Sequence, residues 1–425
     1  VLEGLKPECR LCEAPKSLSQ LVGGDLLRSI LYSLLNPAHA YARDRERRPK
    51  FNLKEVLKEF IDEEELDDYA FRQGLYMKQY PRMICSWAYD EGLRRAKERA
   101  WRELLRRLEG GEVKPDDLSL QQLLEYFHEE LLEDLEREGL VKRERLSRGF
   151  NHFMHVLLFT AHGEELIAER VLEEAFKDLR AASPGPHEAE EAGVGLTPSS
   201  TLTDFDEQKH TFDMLDLKET LINAAIKHPE GLDLTDDVLK ARVPYHKSRA
   251  SNVILLDKSG SMSMSYRIVG AVEAALGLRR LLEAEYRDDE LWVAAYDHNL
   301  YPLEPGEIAN VWPYGWTDIG QALDYARQLL SRREGSKNVF LITDGQPTAS
   351  SSPGQTPFQS ALRASMMLGE EGVRLNIIML DDRSPGLRSL CEKMAELAGD
   401  ANVTFVSNPL NLKSFIIKSY RESRR

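Results

Sequence analysis

Five oxygen-bearing side chains stand out by type and spacing. Asp257, Ser259 and Ser261 form an Asp-x-Ser-x-Ser array in DKSGSMS, with Gly260 permitting a tight turn. Thr317 lies in GWTDIG and Asp344 in TDGQP. Two carboxylates and three hydroxyls make a hard, oxygen-only donor set. A Mg²⁺ ion takes six oxygens in an octahedron at roughly 2.0–2.1 Å and gives up water reluctantly. Hydroxyl ligands carry no charge, so a dication held by them stays electrophilic and can accept a further carboxylate from a partner. One Asp-x-Ser-x-Ser array is weak evidence; the chemistry requires all three segments at one place.

The elements that must position them are legible in the pattern of apolar residues. Short apolar runs at 252–256 (NVILL), 291–296 (LWVAAY), 338–343 (NVFLIT), 373–380 (VRLNIIML) and 402–406 (NVTFV) read as strands. Amphipathic stretches at 266–285, 319–330, 358–368, 387–398 and from 410 read as the helices between them. Apolar strands alternating with helices predict an α/β domain, a mostly parallel sheet covered on both faces. In such sheets ligands bind at the carboxyl ends of the strands. All three oxygen-bearing segments fall there: 257–263 follows one strand, Asp344 follows another, and Thr317 opens a helix.

DKSGSMS, the threonine of GWTDIGQAL and the aspartate of LITDGQP together resemble the metal-ion-dependent adhesion site (MIDAS) of von Willebrand factor A (VWA) domains, in the expected order. The resemblance covers about 250–425 and implies a Rossmann-like fold. It implies that Ser259 and Ser261 ligate a metal directly, and Thr317 directly or through water. Asp257 and Asp344 would act mainly through water. Mg²⁺ is the expected ion, with Mn²⁺ or Ca²⁺ as alternatives. Lys258 occupies a variable position of the motif and is expected to face solvent. Asp297, after the second strand, reads first as a turn carboxylate near the same rim.

The rest of the chain reads as an all-α helical domain over 1–180, an acidic Pro/Gly/Ser-rich linker over 181–210, a helical adaptor over 211–250 and the VWA-like α/β domain over 251–425. Helices are expected at 25–35, 92–108, 119–140 and 215–227, with another over 151–179 broken near Gly163. His152 and His155, three apart on that stretch, are expected to be packed core histidines. Cys9 and Cys12 form half of a zinc-binding pair with no second Cys-x-x-Cys; Cys85 and Cys391 read as core. The basic runs 43–50 and 421–425 read as solvated surface.

Composition narrows the function. An apolar content of 42% excludes a wholly disordered chain, and a formal net charge of −15 counts against general nucleic-acid binding. No run approaches the roughly 20 apolar residues of a membrane-spanning helix. The first residues lack the pattern of a signal peptide, so a cytoplasmic protein is expected. Neither a P-loop, a Gly-x-Ser-x-Gly elbow nor His-Glu-x-x-His occurs, so no enzymatic activity is expected. Helices, an acidic linker and a C-terminal VWA domain resemble the layout of VWA partners of MoxR-type AAA+ ATPases. That resemblance implies a metal-dependent adaptor in client remodelling or metal insertion, with an acidic residue of the ATPase or its client on the metal. The alternatives are an RNA-binding scaffold similar to the Ro autoantigen, or an adhesion protein.

Overall fold

The computed structural model describes residues 16–69, 83–84, 91–147, 153–181, 200–206, 215–227, 234–244, 249–380 and 384–424. They divide into two compact units, one of the described residues within 1–182 and 250–423, the other of those within 183–249 with 424.

The first unit begins with helices α1 (Leu18–Leu35), α2 (Pro37–Arg47), α3 (Leu53–Lys58), α4 (Glu91–Glu109), α5 (Leu120–Tyr126) and α6 (His128–Arg137). The starts are set by side chains. Asn36, Asn52 and Ser119 each accept a backbone N–H two or three residues on, satisfying donors that a helix start leaves orphaned. The helix expected over 119–140 is two helices, because Phe127 leaves helical geometry (φ −119°, ψ 25°).

A second difference falls at 141–159. Strands β2 (Val141–Ser147) and β3 (Phe153–Phe159) pair antiparallel, and the two-residue β1 (Met83–Ile84) pairs with β3. The helix expected from 151 starts only as α7 (Ala161–Ala181). FMHVLLF is apolar apart from His155, so periodicity cannot tell strand from helix there. Thr160 ends the strand; its Oγ1 accepts from Gly163 N and its carbonyl from Glu164 N. Gly163 sits inside the first turn because the chain passes close by: a Cβ there would lie 2.1 Å from the Leu140 carbonyl oxygen. His155 therefore lies on a strand, not on a helix face shared with His152, which is outside the described residues.

From residue 250 the expected alternation appears: β6 (Ala250–Asp257), α8 (Arg267–Glu285), β7 (Glu290–Tyr296), β8 (Leu300–Leu303), α9 (Ile319–Leu330), β9 (Ser336–Thr343), α10 (Pro357–Glu370), β10 (Arg374–Met379), α11 (Pro385–Ala398), β11 (Ala401–Phe405) and α12 (Leu412–Ser423). Strand order is β11-β10-β9-β6-β7-β8, parallel except for β8. The four-residue β8 had no sequence signal. β6 is central and buried along its whole length, which is why its middle, 253–256, is an unbroken apolar run.

The two faces of this sheet pack differently. Val253 and Leu255 of β6 pack with α9, α10 and α11. Ile254 and Leu256 point the other way, onto a core shared by α8, α12 and the helices before residue 182. Helix α7 lies against α8, where Gly277 leaves room for Val171 on one side and Ile417 of α12 on the other. Buried polar groups tie these layers. The fully buried Glu273 of α8 takes Asn36 Nδ2 at 2.6 Å and Lys413 Nζ at 3.1 Å.

The basic run 43–50 is not all solvated. Arg43 is buried, 3.6 Å from Asp25, and Arg47 pairs with Asp25 and Asp116. Cys391 is core, as expected, and burial pushes its thiol up to about 12. Cys9, Cys12 and Cys85 lie outside the described residues. Among the described residues no helix is long and apolar enough to cross a membrane.

The second unit holds an antiparallel pair, β4 (Ser200–Asp204) with β5 (Lys240–Pro244), and a helix, Leu217–Lys227, within the stretch expected to be helical. Thr220 Oγ1 accepts from Lys240 N, the first strand residue, and Asn223 Nδ2 donates to Val238 O in the turn before it, fastening the helix to this unit's own strand and turn.

Candidate metal centre

Asp257 is the last residue of β6 and fully buried. Its two oxygens are separately engaged: Oδ1 accepts from Ser259 N at 2.8 Å and Oδ2 from Thr343 Oγ1 at 2.7 Å. The first bond folds 257–259 back on itself and sets the loop. The second joins the ends of the neighbouring strands β6 and β9. Thr343 Oγ1 in turn accepts from Gly345 N, bracing the turn that carries Asp344. Ser259 and Ser261 face each other with their Oγ atoms 3.2 Å apart.

Thr317 arrives from a separate loop. Gly260 N donates to Gly315 O, and Tyr314 N donates to Lys258 O, so 314–315 is bonded directly to the Asp-x-Ser-x-Ser segment. Gly315 has φ +94°, and a Cβ there would lie 3.0 Å from Asp297 Oδ2, so no other residue fits without strain. The carbonyl of Thr317 accepts from Thr348 N and Ala349 N, and Thr348 Oγ1 accepts from Thr317 N. The 317 and 344–349 loops are thereby locked together. Asp318 follows as the N-cap of α9, accepting from Gln321 N, while its other oxygen accepts from Ser351 N at 2.6 Å.

The backbone thus links all three segments into one rim at the carboxyl end of the sheet. Asp257, Ser259, Thr317 and Asp344 are buried there, and Ser261 is partly exposed. Burial, and then the nearby Asp344 carboxylate, push the Asp257 carboxyl up to about 7. Two acids in a low-dielectric site repel, and a cation between them would relieve both penalties. Among the described residues no cluster of three or more His, Cys, Asp or Glu side chains forms a metal site. Here the donor set is instead two carboxylates plus hydroxyls, which suits a hard dication. Cis ligands of an octahedron at Mg²⁺ distances lie about 3 Å apart, and the Ser259–Ser261 separation fits that spacing.

Three residues near the rim were given other roles or none in the sequence. Lys258 is not solvent-facing: it is largely covered, donates to Asp297 Oδ2 at 2.8 Å and stacks over the Tyr301 ring. The pairing turns its charge away from the metal loop. Asp297 is a turn carboxylate, accepting from Asn299 N, but it is also buried and its carbonyl accepts from Asp318 N. Burial raises its carboxyl, but the hydrogen bonds from Lys258 and Asn299 N outweigh that and hold it below the usual range. Arg267, the first residue of α8, had no sequence signal; its Nη1 donates to Asp344 Oδ2 at 3.2 Å.

The parallel sheet with one antiparallel edge, helices on both faces and loops converging at one rim make a vWA-like fold. Residues 250–421 match the family described as "Rv0959-like protein, vWA domain". The uncharacterized protein Rv0959 of Mycobacterium tuberculosis is 29% identical over 138 residues, 31% of this chain and 20% of that protein. The chain therefore spans about a fifth of the length of the curated relatives it matches. Among solved structures, the PilB minor pilin from Streptococcus sanguinis aligns at 14% identity and a TM-score of 0.35, covering 44% of this chain and 64% of the pilin. The manganese-loaded Plasmodium vivax TRAP protein aligns at 19% and 0.30, covering 41% and 74%.

Proposed function

We propose that the vWA domain is a metal-dependent protein-binding module and that the chain itself catalyses no reaction. One observation carries this reading. The backbone joins three loops so that two buried carboxylates stand with the Ser259 and Ser261 hydroxyls 3.2 Å apart. Ser259, Ser261 and Thr317 would hold Mg²⁺, with Asp257 and Asp344 supplying its counter-charge. When bound, the ion supplies a Lewis-acidic position for a carboxylate oxygen of a partner protein. This chain's residues do the rest. Asp257 orients the serine loop, Thr343 holds Asp257, and the 348–349 amides hold Thr317.

The partner surface is apolar around that point. Tyr314 and Trp316, on either side of Gly315, are 72% and 66% exposed. Exposed aromatic anchors beside a desolvated centre are typical of binding hot spots. The proposal extends to a MoxR-type AAA+ ATPase as the partner, acting with this chain in the cytoplasm. Its support is the layout, a helical region packed on the vWA domain.

The test is capture on the immobilised full chain of a MoxR-type ATPase encoded in the same genome. Capture is expected in Mg²⁺ and lost in EDTA, and Thr317→Ala should lose most of it while melting like wild type. Equal capture in EDTA would overturn the metal-dependent mechanism. Capture by neither protein in Mg²⁺ would overturn the ATPase partnership.

A further inference from the structure

We propose that Arg267 is a positioning residue that tunes the metal centre: its guanidinium holds one oxygen of Asp344 and keeps the affinity for a lone dication low. The inference rests on the metal-binding reading above and adds a regulator to it.

The placement of Arg267 is costly by two independent criteria. It is the first residue of the 19-residue helix α8, where the unpaired N–H groups and the helix dipole already present positive charge. A cation there is disfavoured. The approach is also strained: Ser265 (φ 53°) and Tyr266 (φ 60°) adopt left-handed geometry in succession. Among the described residues only one other non-glycine residue, Arg48, has positive φ. Each such residue costs on the order of 1 kcal/mol and persists only where its surroundings enforce it. This placement sets the guanidinium against Asp344. The Arg267 side chain is 12% exposed, that of Asp344 is 4% exposed, and Nη1 lies 3.2 Å from Oδ2.

Two consequences follow from that contact. Oδ2 is committed to a fixed positive charge, so Asp344 has chiefly Oδ1 to direct toward the ion or its water. A fixed cation on the same carboxylate also repels an incoming dication, and burial weakens the screening that would mute the effect. Arg267 therefore lowers the affinity for the ion alone. A partner's carboxylate, arriving with the ion, offsets that repulsion, so ion and partner bind cooperatively.

The test is calorimetric titration of Mg²⁺, and separately of Mn²⁺, into the full chain and its Arg267→Gln and Arg267→Lys variants, each first checked by thermal melt. Removing the charge should tighten metal binding at least about fivefold, the lower end of typical coupling energies. Arg267→Lys keeps the charge and should stay near wild type. A purely structural brace predicts the opposite order, with the Gln variant binding more weakly, and that result or unchanged affinity would overturn the inference. Ser259→Ala serves as the control that separates the two claims. If wild type, Ser259→Ala and Arg267→Gln all fail to bind either ion, the metal reading itself falls. If wild type binds in a Ser259-dependent way while Arg267→Gln is no tighter, only the role of Arg267 falls.

Discussion

Replacing Glu164 with alanine tests how the helical region is fastened to the vWA domain. Glu164 lies in the first turn of α7 with no solvent exposure. Its Oε1 accepts from Arg279 Nη1 and Gly306 N, and its Oε2 from Ala309 N, each at 2.8 Å. One carboxylate therefore joins α7 to α8 and to the loop running towards Thr317. Glu164→Ala deletes three charge-assisted bonds and strips the largely buried Arg279 of its closest acid; Glu283 is 3.6 Å from Nε. Removing one partner of a buried ion pair costs about 3–5 kcal/mol, and each orphaned backbone N–H alone about 1–3 kcal/mol. Against a total stability of roughly 5–15 kcal/mol the loss would be large. The assay is urea unfolding of the full chain followed by tryptophan fluorescence, with hydrogen exchange at Gly306 and Ala309. Adding Arg279→Met to Glu164→Ala should recover part of the loss, because the unpaired charge is gone. A loss below about 1 kcal/mol, with unchanged exchange at both amides, would refute the reasoning.

Further predictions concern pH, the rim and the binding surface. Burial, then the Arg170 and Arg43 charges, lower the His39 imidazole to about 3, and burial, then Lys97, lower His128 to about 4. Both folded values lie below the ordinary value of about 6.5, so the native state binds fewer protons than the unfolded chain. Their stability contribution is present above about pH 6.5 and falls towards pH 4, by up to about 1.4 kcal/mol per unit for each histidine. His39→Gln should flatten the stability profile between pH 6.5 and 4; an unchanged slope would contradict the assignment. Gly315→Ala should destabilise by about 1–2 kcal/mol, since φ is +94° and the new Cβ meets Asp297, and a thermal melt equal to wild type would count against it. Trp316→Ala should leave unfolding within about 0.5 kcal/mol of wild type yet weaken ATPase capture, as expected for an exposed anchor. Capture at wild-type strength would remove Trp316 from the binding surface.

Much of the vWA fold was legible because its central strands are buried on both faces. NVILL and NVFLIT can be nothing but inner strands once helices alternate with them. Two of the rim segments were legible for a related reason: the carboxyl ends of the neighbouring parallel strands β6 and β9 lie side by side, which brings Asp257 and Asp344 together, whereas Thr317 reaches the rim on a long loop after the antiparallel β8. What was not legible depends on contacts between distant segments. FMHVLLF became a strand only because VKRERLS lies beside it. The cover over Lys258 comes from Asp297 and Tyr301, some forty residues away. Thr343 was passed over, although a threonine directly before Asp344 at a strand end was the available signal. Arg267 and Glu164 carry no motif, and their roles follow from which carboxylate or amide the fold sets against them.

The most direct test of the account is anomalous diffraction from crystals of the full chain grown with Mn²⁺. The account predicts one strong peak at the rim, bonded to the Oγ atoms of Ser259 and Ser261 and abolished in Ser259→Ala. No peak between Asp257 and Asp344, or a peak that survives the loss of the Ser259 hydroxyl, would contradict it.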